Sequence, residues 1–397
     1  MVNLKIFPAS YGDCFLLAIK EGKKNINILI DGGLTQTYDS YLKKYLIELG
    51  EKGEKLNLVI NTHIDSDHIK GLISFLKDNN NNKIIEIEDF WFNGLEQIIL
   101  NYPTVKCDSD DEDERIIDNI IKKGYEDEFQ QTEEISSKEG ISLSGLIEYG
   151  KYNHNKASDS KSITDSLDKI KISENVSIKV IAPSETDLKN LENKWFEELE
   201  SKDFYFTIPK NEKLISSFEF LISRLKTYYD SFKSKISSNN DIALYLSELD
   251  KEDTSIVNGS SIAFVLEAYD KKFLFLGDAI IRNNDNCKII KNLKNEYGDN
   301  LDFEFIKLPH HGSNCNITKD FIKLINSKEY IISTNSDKYG HPDLDVLANL
   351  IIKKYEKTFV FNYKIDQTLF VENITWKKKY KYNVVIGNGD KIIERSY

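Results

Sequence analysis

A chain of 397 residues with 40% hydrophobic and 11% aromatic content can bury a sizeable core, which excludes a globally disordered protein. A formal charge of −12 excludes a dedicated basic nucleic-acid coat, although a local metal site or a basic rim can outweigh the global sign. The sequence holds no run of about 18 apolar residues, so no membrane span is expected.

The N-terminal "MVNLKIFPAS" lacks a basic stretch ahead of an apolar one, and so does not read as a secretory signal. Cys14, Cys107, Cys287 and Cys315 show neither CxxC spacing nor a disulfide framework; reduced thiols in a cytoplasmic protein are expected. "LKIFPAS", "CFLLAIK" and "INILIDGG" are short apolar runs punctuated by glycine, as strands and turns require. "LNLVINTH" is nearly continuously apolar and predicts a strand buried on both faces. "DHIKGLISFLKD" then turns to helical spacing, with Leu72, Phe75 and Leu76 on one side.

The middle differs. "DSDDEDE" at 108–114 reads as a solvated loop or flap, because it lacks the spacing of a calcium loop. "VSIKVIAP" returns to strand. Two helices are expected within 186–236, one carrying Leu188, Leu191, Trp195 and Leu199, the other Leu214, Phe218, Leu221, Leu225 and Phe232. From about 256, "SSIAFVLEAY" and "KKFLFLGDA" predict a strand pair. "LDFEFIKLPHHGS" and "EYIISTNSDKYGHP" each predict a strand running into a loop. "PDLDVLANLIIKKY" predicts a helix with Pro342 in its first turn, and the tail from "TFVFNYKI" onward reads as β-rich.

The chemistry concentrates after strands. "NTHIDSDHIK" puts His63, Asp65, Asp67 and His68 on one short loop, where imidazoles and carboxylates can converge on a cation at roughly 2.0–2.2 Å. Adjacent ligands on such a loop project apart and can serve two metals. Asp67 as a helix N-cap is the plainer reading, but capping explains neither histidine nor Asp65. Asp31, Asp278, His310, His311 and His341 also follow strands, so five of the six histidines fall at one kind of place; only His154 does not.

The order of these motifs resembles the metallo-β-lactamase fold, and within it the hydrolase domain of competence-type (ComEC-like) DNA-uptake channels. The resemblance rests on "SYGDCFLL", "LIDGG", "HIDSDH", "NGSS" (Asn258 to Ser261), "LGD", "HHGS" and "GHP", across roughly 1–95 and 256–350. It implies an α/β protein, an αββα sandwich of residues 1–95 and 256–397, with a large, charged, mostly helical insertion at 96–255 that includes a core-like strand near 177–183. It further implies two divalent metal ions. His63 and Asp65 would hold one; Asp67 and His68, completed by His341, would hold the other; Asp278 would bridge them. Asp31 would orient the loop from outside the ligand set. His310 and His311, at the mouth, would ligate or act as acid, and Lys307 or Ser313 would hold a phosphate.

Two departures from the commonest pattern of that superfamily matter. Asp65 stands where a second histidine is usual, and the intermediate histidine is missing unless His154 fills the place. A site richer in aspartate is harder, which favours Mn²⁺ or Mg²⁺ while leaving Zn²⁺ open. The expected activity is therefore a metallo-hydrolase of the phosphodiesterase or nuclease kind, with Asp67, His310 and His311 as catalytic candidates and a nucleic acid or nucleotide as substrate. A small-molecule hydrolase (cyclic-nucleotide phosphodiesterase or lactonase) and a metal-binding regulatory module docking a protein through 96–255 are the alternatives.

Overall fold

The computed structural model describes residues 1–99, 101–103, 110–125, 142–225, 241–246, 249, 251–282, 287–299 and 301–397. Cys107, Phe232 and the first two residues of the acidic run lie outside them.

Sixteen strands are defined among the described residues: β1 (Val2–Ile6), β2 (Phe15–Glu21), β3 (Lys24–Ile30), β4 (Lys55–Leu56), β5 (Leu58–Ile60), β6 (Glu86–Ile87), β7 (Phe90–Trp91), β8 (Ile170–Lys171), β9 (Val176–Ala182), β10 (Ala263–Ala268), β11 (Lys271–Phe275), β12 (Leu301–Lys307), β13 (Ile325–Ile332), β14 (Lys357–Phe361), β15 (Tyr382–Ile386) and β16 (Ile393–Ser396). They form a six-stranded sheet in the order β16-β1-β2-β3-β5-β7 and an eight-stranded sheet in the order β15-β14-β13-β12-β11-β10-β9-β8, with β4 and β6 as a small separate pair.

Strand alternation sorts the side chains into three apolar layers. Phe264 and Leu266 of β10, Phe273 and Phe275 of β11, Ile331 of β13 and Val360 of β14 meet Leu4, Leu17, Ile28 and Ile60 of the first sheet. Their neighbours Val265, Leu274, Tyr330, Ile332, Phe359 and Phe361 turn outward beneath the helices Lys288–Tyr297 and Leu344–Ile351. On the far side, Leu16, Leu29 and Val59 pack under the helix Ser66–Asn82 through Leu72, Phe75 and Leu76, the face its spacing predicts. The result is helix, sheet, sheet, helix: the metallo-β-lactamase αββα sandwich. Among the described residues no helix is long and apolar enough to cross a membrane.

The 96–255 segment is joined to this core. Ile117, Ile120, Leu143, Leu146, Trp195, Phe218 and Phe220 share one apolar cluster with Leu72 and Phe75, while β8 and β9 extend the second sheet. The acidic run departs from the expected loop: Asp110–Lys123 is a helix. Acidic side chains suit a helix N-terminus, and Asp113 is buried, accepting from Tyr205 N (2.6 Å), Thr207 N (2.7 Å) and Thr207 Oγ1 (2.9 Å). The tail is not uniformly β. Helices Asp366–Val371 and Ile374–Tyr380 separate β14 from β15, and β16 returns to pair antiparallel with β1. Pro342 precedes the N-cap Asp343 instead of entering the helical first turn.

Candidate metal centre

Parallel pairing of β3 with β5, of β11 with β12 and of β12 with β13 brings the C-terminal strand ends to one edge, where α/β folds gather their chemistry. Asp31 follows β3, His63 follows β5, and His68 lies in the first turn of Ser66–Asn82. Asp278 follows β11; His310 and His311 follow β12. Close backbone approach seats the loops. A Cβ on Gly12 would fall 1.9 Å from Asp67 O, and one on Gly71 would fall 1.9 Å from Gly32 O.

Four imidazoles point at one carboxylate oxygen. Asp278 Oδ2 lies 3.8 Å from His63 Nε2, 3.6 Å from His68 Nε2, 3.8 Å from His310 Nε2 and 3.9 Å from His311 Nε2. All five residues are buried. Asp67 Oδ2 stands 3.8 Å from His68 Nε2 and 3.7 Å from His311 Nε2, and Asp65 Oδ2 stands 3.6 Å from His63 Nε2.

The opposite ring nitrogens fix the tautomers. Asp31 accepts from Thr62 N at Oδ1 (2.7 Å) and from Thr62 Oγ1 at Oδ2 (2.8 Å), and its Oδ2 also takes His68 Nδ1–H (2.8 Å). Because the Thr62 hydroxyl proton goes to Asp31, Thr62 Oγ1 accepts from His63 Nδ1 (3.0 Å). His311 Nδ1 donates to Ser333 O (2.6 Å), and His310 Nδ1 donates to Asn316 Oδ1 (2.9 Å). Asn316 is itself held, its amide donating to Asp253 Oδ2 (3.0 Å) and to Asp278 O (3.0 Å). Each ring thus turns an Nε2 lone pair inward, the orientation metal-ligating histidines take from such outer partners.

These groups fit divalent cations. His63 Nε2, His68 Nε2, His311 Nε2 and Asp278 Oδ1 are buried without a hydrogen-bond partner, an arrangement costly to leave unsatisfied. Separations of 3.6–3.9 Å are too long for hydrogen bonds, but they suit ligand atoms sharing a cation at roughly 2.0–2.2 Å. His63, His68 and Asp278 form one group of ligand atoms within 4.8 Å of one another, and Asp67, His68 and His311 form another.

The electrostatics follow from burial opposed by many neighbours. Burial would lower His68, yet Asp278, Asp31 and Asp67 raise it well above the usual imidazole value. His311 is likewise raised, to about 9, by Asp278 and Asp13 against burial. Burial prevails at His310, which is lowered despite Asp278. Burial would raise Asp278 and Asp67, but His68 and its neighbours hold both below the ordinary carboxylate range, Lys338 contributing at Asp67. An excess of carboxylates that retains protons on buried imidazoles is the signature of a site short of positive charge.

The remaining expected residues are placed as follows. His341 belongs to no three-ligand group among the described residues; its ring is 5.1 Å from that of His310 and its Nδ1 is 3.2 Å from Asp343 Oδ2. His311 stands where His341 was expected, beside Asp67 and His68. His310 and His311 are 2% and 1% exposed, so neither lies at the mouth. Lys307 is buried beneath the cluster, ion-paired with Asp13 and donating to Gly277 O (3.0 Å). Ser313 is buried too, its Oγ accepting from Cys315 N (3.2 Å). His154 is engaged elsewhere, with Nε2 bonded to Phe92 O (2.8 Å). Sequence reasoning missed Asp253 and Asn316 altogether, and quoted Asp13 in "SYGDCFLL" without a role. Only the polar run "HHGSNCN" hinted at Asn316.

Comparison with known proteins bears on this geometry. Residues 8–137, about a third of the chain, match the family model of the metallo-β-lactamase superfamily. The match includes His63 to His68. No curated protein matches the sequence. Among solved structures, a mutant of the CmlA β-hydroxylase is similar at a TM-score of 0.38 and 8% identity, over 100% of this chain and 54% of that one. This chain thus spans about half the length of that protein.

Proposed function

We propose that this protein, whose residues 8–137 match the metallo-β-lactamase superfamily, is a two-metal hydrolase of phosphodiester bonds, acting on nucleic acid or nucleotides. The observation that carries the reading is the convergence of four imidazole Nε2 atoms on Asp278 Oδ2, with Asp65 and Asp67 at the flanks. The match of residues 8–137 to the metallo-β-lactamase superfamily supports it further, because most members are metal-dependent hydrolases. The ComEC-like order of motifs points to nucleic acid within that class.

His63, Asp65 and His310 are assigned to one cation, and Asp67, His68 and His311 to a second, with Asp278 between them. Bound there, divalent cations would lower the pKa of a coordinated water from about 15.7 toward 7 and neutralise charge on substrate oxygens. The chain's own work is to fix the ligands. Asp31, Thr62, Asn316 and the Ser333 carbonyl take every Nδ1–H, so that each Nε2 faces the centre as the ring's ligand atom once a cation displaces any proton there. Lys307 and Asp13 brace the floor, and their burial keeps water out from below. His341, oriented by Asp343, is assigned the proton that the leaving oxygen requires.

Purified protein supplied with Mn²⁺ should cleave DNA or RNA, and Asp67→Ala or His68→Ala should abolish cleavage. Intact single- and double-stranded nucleic acid after incubation with the metal-loaded protein would remove the nuclease reading. The net charge of −12 favours a second reading, hydrolysis of small nucleotides in place of long polyanions. A panel of cyclic and linear dinucleotides beside polymeric DNA separates the two.

A further inference from the structure

Beside the ligand cluster stands an ammonium whose place the metal-ligand assignment does not explain. Lys338 Nζ lies 4.8 Å from the centroid of the Tyr11 ring and 4.9 Å from that of Tyr339, and the two rings meet edge to face at 6.5 Å and 86°. Tyr339 in turn sits 5.8 Å from the His310 ring and 6.1 Å from the His341 ring. Tyr11 precedes Gly12, the residue pressed against the Asp67 carbonyl, and Asp13 N donates to that same carbonyl (3.3 Å).

Both loops carrying these residues are fastened. Asn335 N donates to Ser10 O (2.8 Å) and its Nδ2 to Ser10 Oγ (2.9 Å), while Ser10 N donates to Tyr363 Oη (2.7 Å). Gln367 Nε2 donates to Ser336 Oγ (3.0 Å) and to Gly340 O (2.6 Å), closing the loop on either side of Lys338. Lys338 and Tyr339 are half-buried, and Tyr339 links the ammonium to the His310 and His341 rings. Lys307 cannot do this, being sealed against Asp13.

An ammonium cannot ligate a metal, so a lysine at the edge of a cation site serves some other purpose than holding the cation. The two ring faces attract the charge and fix its position. A positioned cation at the edge of a metal cluster is what a substrate anion needs. We propose that Lys338, seated between Tyr11 and Tyr339, binds a non-bridging phosphate oxygen of the substrate next to the metal ligands and so selects phosphate-bearing substrates over neutral esters. The inference rests on the phosphodiesterase reading of the site and adds the residue that recognises the anion.

The test is calorimetric titration of the manganese-loaded protein with inorganic phosphate, for the wild type, Lys338→Met and Lys338→Arg. Methionine keeps an unbranched apolar stem over the rings and removes the charge; arginine keeps the charge. One charge-assisted hydrogen bond corresponds to roughly a tenfold to hundredfold change in Kd. Lys338→Met should weaken phosphate binding by at least about tenfold, and Lys338→Arg should restore most of it. Manganese content should match the wild type in both. Equal phosphate affinity in wild type and Lys338→Met overturns the proposal, as does a wild type that binds no phosphate. Failure of the phosphodiesterase reading is seen separately, as absence of manganese uptake or of nucleic-acid cleavage by the wild type.

Discussion

Asp31→Asn removes a single charge from outside the ligand set and should still dismantle the centre. The native carboxylate is a pure acceptor facing three donors: Thr62 N at 2.7 Å, Thr62 Oγ1 at 2.8 Å and His68 Nδ1 at 2.8 Å. An amide offers one oxygen and one NH₂, so either orientation sets an N–H against Thr62 N–H or against His68 Nδ1–H. The backbone tolerates the change, because Asp31 has φ 53° and asparagine accepts left-handed conformations readily. In one orientation a buried donor is left unpaired, at a cost of roughly 1–3 kcal/mol. In the other, His68 relieves the clash by moving its proton to Nε2, which removes the inward lone pair. Loss of such an outer partner typically lowers metal affinity about 10- to 100-fold. Calorimetric titration with Mn²⁺ measures the affinity, and ¹⁵N-resolved NMR of the imidazoles reads the tautomer. Wild-type manganese affinity in Asp31→Asn, with His68 still protonated at Nδ1, would refute the reasoning.

Three further outcomes follow from the same geometry. In metal-free protein, His311 is raised from 6.5 to about 9, so its contribution to stability is complete below about pH 6.5 and is lost as pH climbs through 9; His68 is raised as well, and its contribution is likewise lost on the alkaline side. The melting temperature of chelator-treated protein should fall over that window, by the equivalent of up to about 3 kcal/mol for His311, while manganese affinity rises; a flat melting profile would count against the carboxylate cluster. Gly12→Ala places a Cβ 1.9 Å from Asp67 O, backbone against backbone, and should cut manganese affinity at least tenfold (~1.4 kcal/mol) by displacing Asp67, measured by the same titration. Phe75→Ala opens a cavity where the helix Ser66–Asn82 meets the first sheet, and should lower unfolding free energy by about 3–5 kcal/mol in denaturant titration.

The candidate site was legible in the sequence where its residues are local. "HIDSDH" carries four candidate ligands on one loop, and the apolar run before it and the helical spacing after it predict strand, loop and helix correctly. Asp31 took its loop-orienting role from the resemblance; the residues themselves showed only a carboxylate ending a strand before glycines that let backbone approach closely. What sequence could not supply is distance between remote segments. His311 and His341 both follow strands and carry the same chemistry, and only the packing of β12 against β11 and β13 puts His311 beside Asp67. Lys307 resembled a phosphate ligand because nothing local reveals its burial against Asp13, at the opposite end of the chain. Asp253 and Asn316 were invisible for the same reason: neither has meaning until His310 lies between them and Asp278.

The fold shows a similar division. Central strands with unbroken apolar runs were plain, whereas β16, only four residues long, is specified by its pairing with β1 and not by its own pattern. The tail helices were hidden by the aromatic and β-branched residues of "TLFVENITW"; Asn373 caps the second by accepting from Trp376 N (3.1 Å). The acidic run was read by charge alone, and charge does not distinguish a solvated loop from a helix N-terminus that needs acidic side chains.

The central claim is that Asp278 and the surrounding imidazoles hold two divalent cations. Elemental analysis of protein purified without chelator, alongside Asp278→Asn, tests it most directly. Two equivalents of a divalent metal per wild-type chain, with a marked loss in Asp278→Asn, is the predicted result. A wild-type protein that carries no metal and takes up none on incubation with Mn²⁺, Mg²⁺ or Zn²⁺ would contradict it.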